Sequence, residues 1–264
     1  MKRTGKEVVV EEPSFGVRLV TLNLPHVRNA MTQEMTDTWR AAMAEIHDDR
    51  TVRAVVLTGA GSSFCSGADL SFLDQGSAHH NTPDRLRDKM APFYDSWLMA
   101  RRLPVPVVAA VNGPAIGAGL CLALACDLRY GGQDAVFSAP FNSLGTHGGM
   151  GVNYLLPEVI GIARAREMLY TSRTVDAEEA LHWGLVSDVV DDVLTHSLEV
   201  ADRIAQAAPI ATRLTKVGLE QSFHGLDAAL RWEALAQPVT MATEDLHEGI
   251  QARRQHRPAH FQGR

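Results

Sequence analysis

Cysteine is scarce. Cys65, Cys121 and Cys126 are the only three in 264 residues. An odd number, set in apolar or turn segments, fits reduced thiols in a cytoplasmic protein better than a disulfide framework. Positive charge is also short. With 25 Lys+Arg against 31 Asp+Glu the formal net charge is −6, which argues against a general nucleic-acid binder. It leaves room for an anionic ligand held by a few local bases. The apolar stretch 104–126 is broken near its middle by Asn112 and Gly113-Pro114, so neither half spans a bilayer. Met1-Lys2-Arg3 is basic, but Lys6, Glu7, Glu11 and Glu12 follow in place of an apolar segment, so no signal peptide is expected. No histidine/cysteine group has metal-ligand spacing, and no metal site is expected. No Ser-His-Asp arrangement stands out.

What is present is ordinary in bulk and specific in two places. A hydrophobic content of 45% and a charged content of 21% suit a soluble globular chain, long enough for one large domain or a domain with an appendage. The most informative run is Val111-Asn112-Gly113-Pro114-Ala115-Ile116-Gly117-Ala118-Gly119-Leu120-Cys121. An apolar strand over 105–111 leads into a turn, and small residues then open an apolar helix over 116–126. Side chains this small let a ligand lie on the backbone, and the first amides of a helix lack internal partners. A second run repeats the pattern. The strand 53–58 is followed by Gly59-Ala60-Gly61-Ser62-Ser63-Phe64-Cys65-Ser66-Gly67-Ala68-Asp69-Leu70. Two such turns are suited to aim two backbone N–H donors at one substrate oxygen, as stabilisation of an enolate or tetrahedral intermediate requires.

Elsewhere the pattern predicts strands over 8–10 and 17–22 around a turn at Phe15-Gly16. It predicts a helix over 32–46, with Met35, Trp39, Ala42, Met43 and Ile46 at helical spacing and Thr32 as cap. A polar loop is expected over 75–83 and a helix over 85–103, stopped by Pro104 and Pro106. Strands follow over 128–130 and 135–138, a helix from Gly148 to Leu156, a short helix over 177–183 ending at Gly184, and a strand over 185–190. From about Leu194 the pattern is helical. Alternating strands and helices imply a layered α/β core.

"FCSGADL" followed by "VNGPAIGAGLCLALACDLRY" resembles the enoyl-CoA hydratase/isomerase, or crotonase, superfamily. "RNAM", "TSRTVDAEEALHWGLVSDVV" and the ending "TEDLHEGIQARRQHRPAHFQGR" match the same family in the same order. The resemblance implies an α/β fold: a crotonase-like spiral of ββα units over 1–193, with a C-terminal α-helical trimerisation region over 194–264. It also implies a homotrimer or dimer of trimers, a coenzyme A thioester as substrate, and no prosthetic group. The oxyanion hole would be the backbone N–H groups of Ala68 and Ala118. Arg28, Ala30, Ala68, Asp69 and Leu70 would border the nucleotide. Phe261 with Arg253, Arg254 and Arg257 would approach it from the C-terminus, within one chain or across subunits. The loop 71–85 would help shape the acyl pocket.

In one respect the chain departs from the resemblance. Typical hydratases use two glutamates, one on the glycine-rich helix and one after a proline past the next strand. One carboxylate activates water and the other delivers a proton. Those positions hold Cys121 and Phe141, and the later glycine turn, residues 144–151, carries no acid. Near them stand Asn142, His147 and Asn153. His147 is a candidate base, and Cys121 near a helix start a candidate low-pKa thiol. Three functions stay open: a hydratase/isomerase with altered acid/base groups, another acyl-CoA reaction such as thioester hydrolysis or isomerisation, and a non-catalytic acyl-CoA-binding protein.

Overall fold

The computed structural model describes residues 3–4, 6–69, 82–222 and 225–264. Strand β1 (Arg3–Thr4) pairs antiparallel with β2 (Val8–Ser14), which turns through Gly16 into β3 (Val17–Leu22). Gly16 sits at φ +78°, a conformation that costs glycine little. Helix α1 (Gln33–Asp48) begins where expected, with the Thr32 side chain accepting from the Met35 N–H at 3.2 Å. Its apolar stripe packs against α2 (Pro83–Trp97). Trp39 stacks on Trp97 at 4.9 Å, and each indole N–H finds an acceptor, Ser96 O and Thr36 Oγ1 respectively. The helix predicted over 85–103 is broken. A short α3 (Met99–Arg102) follows a non-helical Leu98.

Strands β3, β4 (Ala54–Gly59), β5 (Val107–Val111) and, at the far edge, β7 (Leu128–Gly131) run parallel in one six-stranded sheet. β4 and β5 are buried at every residue, the signature of a parallel strand covered on both faces. Their side chains alternate as a strand must. Val55, Leu57, Val107, Ala109 and Val111 join the main core with α1 and α2. Ala54, Val56, Val108 and Ala110 join a second cluster with Val193, Val200, Ala201 and Ala205. The chain between β5 and β7 leaves this sheet. It forms β6 (Ala115–Ile116), then α4 (Ala118–Leu124). After β7 comes β8 (Val136–Ser138), which pairs parallel with β6 and antiparallel with β9 (Thr174–Asp176) in a second sheet. Isolated bridges Met31↔Ala68 and Cys65↔Ala115 extend the same layer. Each turn of chain therefore places a segment in both layers before its helix, the spiral of ββα units expected.

Helix α5 (Val152–Thr171) bends at Gly161, and α6 (Ala177–Trp183) is capped by Asp176 and ends at Gly184. Then come α7 (Val193–Ala205), α8 (Pro209–Ser222), α9 (Leu226–Met241) and α10 (Glu244–Arg254). Helix α7 lies on the sheet of its own chain.

Several expectations change. The glycine-rich helix starts at Ala118, two residues late, because Ala115 and Ile116 pair with Phe137 and Ser138. The strand expected over 185–190 is reduced to one bridge, Gly131↔Val189. The Ser187 N–H reaches Arg129 O while the Gly131 N–H reaches Asp188 O, a one-residue slip that breaks the regular parallel ladder. The helix expected from Gly148 starts at Val152 and runs on to Thr171. The last residues are not helical. The tail folds back so that Arg264 O accepts the Glu244 N–H at 2.8 Å, while the Asp245 carboxylate accepts from the Gln262 and Gly263 amides. The loop expected over 75–83 falls almost wholly outside the described residues, as does most of the span 71–85.

Helix α8 is fastened beside the sheet by two cations, of which Arg213 donates to Arg50 O and Val52 O at 3.1 and 3.2 Å. Lys216 is 8% exposed, and its ammonium donates to Val105 O at 3.0 Å and to Asp127 Oδ2 at 2.8 Å. The same oxygen accepts the Val107 N–H at the start of β5. Lys216→Ala leaves a partly buried carboxylate without its counter-charge. It should cost about 2 kcal/mol, a reduced version of the buried-pair loss because Asp127 keeps some solvent. Urea unfolding checks this, and an unchanged midpoint would show the pair to be idle.

Candidate active site

The two small-residue turns lock together. Asn112 Oδ1 accepts from Thr58 Oγ1 and from the Gly59 N–H, both at 3.2 Å, and Asn112 Nδ2 donates to Gly61 O at 2.9 Å. The Cys65 N–H donates to Pro114 O at 3.1 Å and the Ile116 N–H to Cys65 O at 3.0 Å. Glycine is required at this crossing. A β-carbon on Gly119 would collide with Cys65 O. One on Gly67, at φ +92°, would lie 2.6 Å from Ile116 O and 3.1 Å from the Ala118 nitrogen. Ala68, beside Gly67, and Ala118 thus belong to one wall. Neither of their N–H groups has an acceptor among the described residues.

That wall bounds a cavity of about 470 Å³ whose rim also carries Arg28, Ala30 and Asp69. Asn29 holds this rim in shape. Fully buried at φ +55°, it donates from Nδ2 to Ala60 O and Ser63 O at 3.0 and 2.8 Å, and its Oδ1 accepts the Leu24 N–H at 2.9 Å. Arg28 precedes it in the same left-handed region and is exposed at the rim. Asp69 is the one carboxylate lining the cavity among the described residues. A cavity of about 540 Å³ lies elsewhere, between α8 and the segment around Asp127, but it contains none of the small-residue turns. Free backbone donors, not volume, distinguish the smaller one.

The other sequence candidates fall as follows. Phe141 and His147 line the cavity. The His147 ring is exposed, and its Nε2 lies 3.1 Å from Asn153 Nδ2. With the amide nitrogen donating, Nε2 is the acceptor and the ring proton sits on Nδ1. Cys121 is fully buried in α4, with its Sγ 3.6 Å from Gly149 O. Burial pushes its thiol up to about 12, so desolvation outweighs any benefit from the helix start, and the reactive-thiol reading is withdrawn. Phe261 does not reach the cavity within one chain. Its carbonyl accepts from Arg53 at 2.8 Å and its ring packs near Gly249. Arg253 and Arg254 are exposed, and Arg257 pairs with Glu248 at 2.6 Å. Leu70 lies outside the described residues.

Sequence reasoning passed over Asn29, Asn112 and Tyr94. Asn29 carried a faint signal, since asparagine tolerates left-handed backbone. Nothing in the sequence shows that Tyr94 meets Gly149.

With this geometry in view, the comparisons with known proteins are decisive. The family model for enoyl-CoA hydratase/isomerase matches residues 12–264. The chain belongs to the enoyl-CoA hydratase/isomerase family. It is 40% identical over 273 aligned positions to a protein of Mycobacterium bovis named as a probable enoyl-CoA hydratase, covering 98% of this chain and 94% of that one. Among solved structures it resembles an enoyl-CoA hydratase from Bacillus anthracis, with TM-score 0.91, 31% identity, and 98% and 100% of the two chains covered. A probable enoyl-CoA hydratase/isomerase from Mycobacterium abscessus gives TM-score 0.88 and 37% identity, with 98% and 99% covered. The crotonase fold of this family member is thereby established.

All three thiols share the same fate. Burial raises Cys65, Cys121 and Cys126 alike to about 12. Native protein at pH 8 should therefore release no thionitrobenzoate from Ellman's reagent over minutes, and denatured protein should release three equivalents. A fast single-thiol reaction lost in Cys121→Ala would contradict this.

Proposed function

We propose that this family member is an enzyme of the enoyl-CoA hydratase/isomerase kind that binds an acyl-CoA thioester in the 470 Å³ cavity. The thioester carbonyl would be gripped between the N–H groups of Ala68 and Ala118. The single observation that carries the reading is this pair of acceptor-free amides, brought onto one wall by the Gly67–Ala118 approach. Donors fixed before the substrate arrives stabilise an enolate without reorganising, and each is typically worth about 3 kcal/mol of barrier. Arg28, Ala30 and Asp69 at the rim suit the nucleotide end, with backbone groups and one guanidinium as contacts. Leu70, which continues that segment, keeps the adenine-bordering role that the resemblance implies.

The reaction is not the two-glutamate addition of water. Cys121, neutral and buried, and Phe141 cannot orient or ionise water. His147, exposed on the cavity lining, is the base we assign to enolate chemistry or thioester hydrolysis once its contact with Asn153 is broken. A purely binding role is favoured by the same observation at Cys121 and Phe141, and is the second reading. The helical region 194–264 is proposed to pack between subunits of a homotrimer or dimer of trimers. Leu226, Leu230, Leu235 and Val239 on α9 are exposed in the single chain, and Phe261 would then reach a nucleotide only across an interface. Among the described residues no helix is long and apolar enough to cross a membrane and no metal-binding group occurs.

Calorimetry and loss of the conjugated thioester absorbance, run on one batch with crotonyl-CoA, test the reading. The expected outcome is saturable binding with hydration slower than a typical enzyme by at least ~10²-fold, the usual cost of losing one general acid/base. Turnover near ~10 s⁻¹ would mean that the acid/base groups lie elsewhere. Absence of binding would remove the acyl-CoA reading itself.

A further inference from the structure

Three hydroxyls line the cavity among the described residues: Ser66, Tyr94 and Thr146. Two are engaged. Ser66 Oγ donates to Val27 O and Thr146 Oγ1 to His147 O, at 3.4 and 3.5 Å. The Tyr94 phenol has no hydrogen-bond partner among the described residues. Met90, Phe93, Phe141 and Met150 are apolar residues of the same lining, which also carries Thr146 and His147.

The phenol is seated by a glycine. A β-carbon on Gly149 would lie 3.0 Å from Tyr94 Cζ and would collide with the hydroxyl oxygen, so the ring rests on a residue without a side chain. The carbonyl of that glycine also accepts from Cys121 Sγ. Tyr94 and Cys121 therefore flank Gly149 together. Cys121 is three residues beyond Ala118 on α4. Residues so spaced lie about 5–6 Å apart on a helix, comparable to the reach from a thioester carbonyl oxygen to a substituent on the β-carbon.

Burial raises the phenol above its ordinary value, so it is a neutral donor across the physiological range. A plain alkyl chain filling this space would displace water from the hydroxyl and leave it unpaired, which is costly in an apolar wall. A β-hydroxyl would accept its hydrogen bond but bring a second donor, which must share Gly149 O with the Cys121 thiol or go unpaired. A β-keto oxygen accepts and brings no donor. Building on the reading of this cavity as an acyl-thioester site, we infer that Tyr94 is a specificity-determining residue. It selects 3-oxoacyl thioesters, whose second carbonyl accepts from the phenol while the thioester carbonyl lies between Ala68 and Ala118.

Equilibrium binding of acetoacetyl-CoA, 3-hydroxybutyryl-CoA and butyryl-CoA to the wild-type protein and to Tyr94→Phe tests this. Wild type should prefer acetoacetyl-CoA to butyryl-CoA by roughly tenfold, the fold-change of one net hydrogen bond, with 3-hydroxybutyryl-CoA between them. Tyr94→Phe should bring all three to within about twofold by loss of that bond, with butyryl-CoA affinity unchanged or improved. Gly149→Ala, which displaces the phenol, should also lose the preference. A preference that survives Tyr94→Phe, or its absence from wild type, would overturn the role of Tyr94 and leave the acyl-thioester site standing. Failure of all three ligands to bind wild type would overturn both.

Discussion

Everything at the site depends on one crossing of backbone: the bridge between Cys65 and Ala115, with Gly67 and Gly119 pressed against the opposing chain. Two turns that leave neighbouring parallel strands are brought close enough that any side chain at either glycine would push them apart. The bridge uses the amides and carbonyls of Cys65, Pro114 and Ile116. The nearby amides of Ala68 and Ala118 have no acceptor among the described residues. An unmade backbone hydrogen bond is expensive when buried and useful when it faces a ligand. The fold keeps two such donors at the edge of a cavity and holds them rigid with Asn29 and Asn112, whose side chains saturate the turn carbonyls behind them.

In the proposed reading the acyl end meets no charged partner, because Arg28 and Asp69, the charged groups that line the cavity beside His147, are assigned to the nucleotide end. Cys121 is buried, so its thiol stays protonated, and Phe141 is a ring rather than a carboxylate. In that reading the acyl end keeps polarisation from the backbone, the Tyr94 phenol and the His147 imidazole. Such a set favours reactions in which holding negative charge on a thioester oxygen is the main difficulty. It disfavours those in which water must be both aimed and deprotonated.

Much of this was legible in the sequence where short-range rules apply. The cap at Thr32, the turn at Gly16 and the fully apolar strands 54–59 and 107–111 follow from side-chain type and period. The glycine-rich turns announced a close approach, though not of what to what. Illegible were features set by tertiary pairing. Ala115–Ile116 is too short to read as a strand, yet its pairing with β8 delays the helix by two residues. Pro258 marks where the last helix must stop, but nothing in the tail 255–264 shows that it folds back on α10. Tyr94 is one of several aromatics in its helix by sequence, and only the fold sets it against Gly149.

The central claim, that Ala68 and Ala118 polarise a thioester carbonyl, is open to direct observation by ¹³C NMR of butyryl-CoA labelled at that carbon. Ala118 is the first residue of α4, and replacing it with its α-hydroxy acid turns the N–H into an ester oxygen without adding an atom to the cavity. Bound to the wild-type protein, the carbonyl resonance should move downfield from its free position, and in the Ala118 backbone-ester variant much of that displacement should vanish while the ligand still binds. A bound resonance at the free position, or an equal displacement in both proteins, would contradict the account.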